Sequence, residues 1–150
     1  MRKRILMGLA VVAVVAQFFQ PERKNPPTDP ESSYEAAAKP APELAAALRR
    51  ACYDCHSNQT RWPWYSRVAP VSWLIASDVR EGRAHLNFSE WNRYSPEAAR
   101  RRMEEACEEV RAGRMPLRAY LLIHAEARLT PMESELICQA ARGMGGGATP

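Results

Sequence analysis

The chain's 150 residues, 46% hydrophobic and 25% charged, suffice for one modest domain with appendages and exclude two independent cores. Its net charge of +4 is concentrated at the start: residues 1–24 carry five basic side chains against one acidic, leaving 16 of each sign beyond. A formally neutral body lacks the electrostatic footprint of a nucleic-acid binder, so no nucleic-acid partner is expected.

The N-terminus reads MRKR, then an apolar run from Ile5 to Phe19. A cationic start before a run of this length is an export signal or a short membrane anchor. The positive-inside rule puts Met1–Arg4 in the cytoplasm and the rest beyond the inner membrane. Val14-Val15-Ala16 offers a cleavage site, but Phe18 and Phe19 continue the apolar run, which favours an uncleaved single-pass anchor over residues 1–20. Residues 21–42 are rich in Pro, Asn, Ser, Ala and charge, and predict an extended tether. A domain over 43–142 and a flexible glycine-rich tail over 143–150 complete the chain.

Within the domain, Glu43–Arg50 is alanine-rich and predicts a helix that ends near Cys52–His56. Pro70 opens a second helix running to about Gly82. Ser95-Pro96-Glu97 supplies an N-cap, a proline at the first helical position and an acid in the first turn. Ala99, Met103, Ala106 and Val110 follow at helical spacing, and Gly113 ends that helix. Thr130-Pro131-Met132-Glu133 is a capping box before a last helix to about Arg142. No alternating strand pattern occurs, so the fold class is all-α.

Cys52-x-x-Cys55-His56 is the c-type haem attachment pattern. Two thiols three residues apart on one turn can each bond a vinyl group of one porphyrin, and the next residue brings its imidazole to the iron as proximal ligand. A zinc site would need two more nearby ligands, and Cys107 and Cys138 are distant. A thioredoxin-like motif belongs to a βαβ context that is absent. Trp62, Trp64, Tyr65 and Trp73 are candidates for an aromatic wall around the porphyrin, and a Trp indole nitrogen and Arg61 for meeting its propionates. Ordinary core packing is the alternative for each. The expected distal ligand is Met115, in a loop after Gly113, with Pro116 favouring an extended backbone. His124 is the rival, and Met103, Met132 and Met144 are weaker ones. His85 is expected to be structural. Arg100-Arg101-Arg102 with Glu104, Glu105, Glu108 and Glu109 predicts a solvated helix face. Cys107 and Cys138 form a disulfide or remain two buried thiols.

The chain resembles the small haem-binding domain family of membrane-anchored bacterial proteins, c-type cytochrome-like and with one CxxCH motif. The resemblance rests on PER at 21–23, NPP at 25–27, CYDCHSN at 52–58, WPWYS at 62–66 and APVSW at 69–73. GRAHLNFSEW at 82–91, GRMPL at 113–117, Tyr120–His124 and Leu129-Thr130 extend it. Cys107, Cys138 and Gln139 depart from the pattern. The resemblance implies a small cytochrome c-like helical domain wrapped around one covalently attached haem c. The expected role is single-electron transfer to redox partner proteins on the periplasmic side, with an electron carrier favoured over an enzyme and no small-molecule substrate. A haem enzyme or sensor with an open sixth position, or a haem-carrying subunit of a membrane complex, is the alternative.

Overall fold

A computed structural model describes residues 1–144, and every regular element among them is helical. Helix α1 spans Arg2–Ala16, α2 Tyr34–Ala38, α3 Pro42–Ala51, α4 Tyr53–His56, α5 Val71–His85, α6 Pro96–Arg111, α7 Arg118–Leu121 and α8 Pro131–Gly143. Short 3-10 turns at Pro30–Ser32, Trp64–Arg67, Phe88–Arg93 and Ala125–Ala127 join them. The expected all-α class is what the chain adopts.

The helix boundaries follow from their caps. Ser95 Oγ accepts from the Ala98 amide at 3.2 Å at the head of α6. At the other end Gly113 takes a positive φ of 65°, a conformation that glycine enters without a Cβ penalty. Thr130 and Glu133 form the expected reciprocal capping box at α8.

The core lies between α3, α6 and α8, with Leu48, Met103, Ile137 and Ala141 buried. A disulfide joins Cys107 on α6 to Cys138 on α8, with Cα atoms 4.8 Å apart. That resolves the open choice between paired and free thiols. Beside this layer Tyr34, Tyr53, Phe88, Trp91 and Tyr94 form one aromatic cluster, with neighbouring ring centres 4.7–6.2 Å apart.

One expectation is corrected here. Residues 21–42 are not a free tether, because Tyr34 is 2% exposed against Phe88 and Trp91. Asn25 also donates to the Thr60 carbonyl. One buried tyrosine outweighs the proline-rich composition around it. The expected anchor forms as α1, which is exposed along nearly its whole length, but 15 residues rise only about 22 Å. No described helix is long and apolar enough to cross a membrane. Of the tail read over 143–150, Gly143 closes α8, and residues 145–150 lie outside the described residues.

Candidate functional site

Helix α4 is a single turn closed by Cys55 and His56 amides donating to the Cys52 carbonyl, at 3.1 and 2.8 Å. Buried Ser57 ends it, its hydroxyl donating to the Tyr53 carbonyl and accepting from the Gln59 amide. The turn therefore sets Cys52, Cys55 and His56 on one short, rigid platform. Both thiols are free. Burial pushes the Cys52 thiol up to about 12 and the Cys55 thiol up to about 11, so both stay protonated at neutral pH.

Helix α5 closes against this platform at Gly82. A Cβ there would lie 2.6 Å from the Cys55 carbonyl oxygen, a backbone atom that cannot move aside. Glycine is thus a packing requirement at this position. After α5 the chain turns, and the Leu86 carbonyl sits 3.0 Å from His56 Nδ1. A carbonyl only accepts, so Nδ1 carries the proton and Nε2 keeps its lone pair. Burial also holds the imidazole below its ordinary range, with hydrogen bonds to Leu86 and Gly82 carbonyls opposing in part. A neutral His56 with a bare Nε2 is ready to ligate a metal.

The turn following His56 is fixed by a buried amide network. Asn87 Nδ2 donates to Asn58 Oδ1 at 2.8 Å, and the Asn58 amide donates to Ser89 Oγ at 3.0 Å. Arg83 Nε donates to the Ser57 carbonyl at 2.8 Å. These residues hold the platform and the Leu86 carbonyl in register.

Cys52, Cys55 and His56 open onto a cavity of about 490 Å³, within the usual range for small-molecule sites. Leu48, Phe88, Val110, Leu117 and Ile137 supply apolar walls. Met115 and Pro116 line the same cavity. Their loop is clamped from two sides. Arg114 and Met115 amides donate to the Glu109 carbonyl at 2.9 and 3.2 Å, and the Arg114 guanidinium pairs with the Glu109 carboxylate at 2.7 Å. Further on, Tyr120 donates to Asp54 Oδ2 at 2.8 Å, tying the distal segment to α4.

The structure brings Cys52, Cys55, His56 and Met115 to one cavity but leaves Arg61, Trp62 and Trp64 outside it. Arg61 turns back onto Asp54, by its amide at 3.1 Å and its side chain at 3.4 Å. Trp62 donates to Asn25 Oδ1 at 3.1 Å. Trp64 is 78% exposed and meets Tyr65 edge-on. Tyr65 and Trp73 likewise do not line the cavity. His124 lies outside it, stacked on Tyr120 with ring centres 4.2 Å apart and bonded to Tyr65 and Glu126. Met103 is buried in the core and Met132 is exposed, while Met144 lines a separate surface hollow beside Tyr34. His85 does line the cavity, from the exposed end of α5.

Sequence reasoning missed Gly82, Asp54, Tyr120 and Arg102 as lining residues. A signal existed for Arg102, which sits one turn before Ala106 and two before Val110 on the same stripe of α6.

Among the described residues no group of three or more His, Cys, Asp or Glu side chains is placed to hold a metal ion. That disfavours the zinc alternative and fits a metal that brings its own equatorial ligands. An apolar cavity with paired thiols, an oriented imidazole and a facing thioether suits a haem in each respect. No curated protein and no solved structure matches the chain. The profile of one family, the haem-binding domain, matches residues 11–142. That match covers most of the sequence and coincides with the folded body around the cavity. The chain belongs to the haem-binding domain family and is a haem-binding protein.

Proposed function

We propose that the protein carries one haem of the c type, joined through thioethers to Cys52 and Cys55, and passes single electrons on the outer face of the cytoplasmic membrane. The observation that carries this is the convergence of both thiols, His56 and Met115 on a single apolar cavity. His56 Nε2 and the Met115 thioether would hold the iron. The bound iron supplies reversible one-electron exchange. Cys52 and Cys55 would each hold the haem by a thioether, the S–H adding across a vinyl double bond. No oxidant is needed, but both thiols must be reduced. Both are free thiols in the structure. The clamps from Glu109 and Asp54 fasten the segment that carries Met115, and ligation that does not change with redox state would keep reorganisation small. The electron partner is a redox protein at the membrane, to which residues 5–19 hold the domain.

A haem stain on a denaturing gel tests attachment. Protein made with a c-type maturation system keeps the stain, and Cys52→Ala with Cys55→Ala abolishes it and lowers the yield sharply, because ligand binding contributes to the stability of so small a core. An exported, intact wild-type chain that loses its pigment on denaturation overturns covalent attachment. Rapid carbon monoxide binding to the ferrous protein would favour the open-site alternative.

A further inference from the structure

We propose that Arg102 is the carboxylate-binding group of the cavity and receives a propionate of the haem, an inference that rests on the haem reading above. The other charged residues lining the cavity are the carboxylates Asp54, Asp78, Glu81, Glu105 and Glu109, with His85 at the rim. Arg102 is therefore the one permanently cationic side chain on the wall. A dicarboxylate entering this space meets carboxylates on both α5, at Asp78 and Glu81, and α6, at Glu105 and Glu109, so among the described lining residues the attraction comes from Arg102.

Among the described residues Arg102 forms no ion pair or side-chain hydrogen bond. Its Nε is buried and without a hydrogen-bond partner among the described residues. On the same helix Arg100 pairs with Glu104 and Arg111 with Glu135, as surface arginines ordinarily do. Arg102 is instead laid over the Tyr94 ring, with its guanidinium carbon 4.8 Å from the ring centre. Stacking fixes the plane of the guanidinium. A buried donor without an acceptor is costly, and a carboxylate presented to Nε and a neighbouring Nη removes the cost with the paired geometry that guanidinium favours.

The test uses the matured holoprotein and the variants Arg102→Gln and Arg102→Lys. Three quantities are read: the midpoint potential, the propionate-bending band in the resonance Raman spectrum and the melting temperature. Arg102→Gln should lower the potential, because a positive charge near the iron disfavours its oxidised form, and should shift the propionate band. Arg102→Lys should recover the potential and leave the band shifted, because lysine restores charge without the fork. A role confined to packing on Tyr94 lowers the melting temperature of both variants with potential and band unchanged, and that result overturns the proposal. A second measurement needs no variant. In wild-type protein labelled with ¹⁵N-arginine, the Arg102 Nε–H should exchange slowly and shift between ferric and ferrous states. Fast exchange with no redox-dependent shift also overturns it. A purified chain without any haem sinks the cofactor reading itself, whereas haem present with these signatures missing sinks Arg102 alone.

Discussion

At His56 one hydrogen bond decides which nitrogen can meet a metal, since the Leu86 carbonyl claims the Nδ1 proton. Across the cavity, Met115 owes its place to the Glu109 carbonyl and carboxylate, which fasten residues 114 and 115. Met115→Ala should leave the fold and the covalent pigment in place. The weak long-wavelength sulfur-to-iron band should vanish, and the potential should fall by on the order of 0.1 V, a fraction of the roughly 0.8 V that axial ligands command. Band and potential surviving Met115→Ala, yet lost in His85→Ala or His124→Ala, would show that a histidine holds the sixth position instead. Cys52, Cys55 and His56 were legible in the sequence because the chemistry fixes their spacing within one turn. Arg61, Trp62 and Trp64 were misplaced because nearness in sequence says nothing about direction. The turn at Ser57–Thr60 sends Trp62 toward Asn25, away from the cavity. The sequence around Arg102 reads as a solvated face because its neighbours Arg100 and Glu104 form an exposed ion pair.

Single turns and caps position the larger pieces, and Glu133 shows how one side chain couples two helices. Its carboxylate accepts from the Thr130 amide at 2.8 Å, closing the head of α8, and pairs with Arg50 of α3 at 2.8 Å. The Thr130 amide first, then Arg50, hold the Glu133 carboxyl below the usual carboxylate range. A lowered folded-state pKa contributes stability above the unfolded value of about 4.3, and that stability is lost as pH falls through the folded value. Glu133→Ala should therefore cost about 1 kcal/mol at pH 7, the usual worth of a cap. The gap to wild type should close as the solution is acidified below about pH 4. Urea midpoints at pH 7 and pH 3 measure it, and a gap of equal size at both values would refute the assignment. Both α6 and α8 were legible because Ser95-Pro96 and Thr130-Pro131-Met132-Glu133 are local signals that tertiary packing did not need to override. The α2 turn was not, because its burial depends on Phe88 and Trp91, more than fifty residues away. No local pattern around Tyr34 reports partners that distant.

The four cysteines divide into two chemistries. Cys107 and Cys138 are joined, while Cys52 and Cys55 are free. A disulfide closing a separation of 31 residues is worth about 3–4 kcal/mol in a chain-entropy estimate and persists in oxidising compartments. The proposed export through the cationic start and the apolar residues from Ile5 to Phe19 would place it in such a compartment. At 15 residues α1 falls short of the roughly 20 needed to span a bilayer, but the apolar run continues past it to Phe18 and Phe19, both exposed. The end of that run is also tied to the body. Gln17 exchanges hydrogen bonds with the Ala69 backbone, and the Trp73 indole donates to the Phe19 carbonyl. Under the proposed function, an uncleaved N-terminus holds the domain against the outer face of the membrane. A reporter fused after Pro150 should then be active only on the periplasmic side, and the full chain should stay with membranes through a high-salt wash. Non-reducing and reducing gels of that membrane fraction should differ in mobility, and Cys107→Ser with Cys138→Ser should abolish the difference. Recovery from the soluble periplasm with residues 1–16 missing would mean that the segment is a cleaved signal. Reporter activity confined to the cytoplasm, with all four thiols reactive, would overturn export altogether.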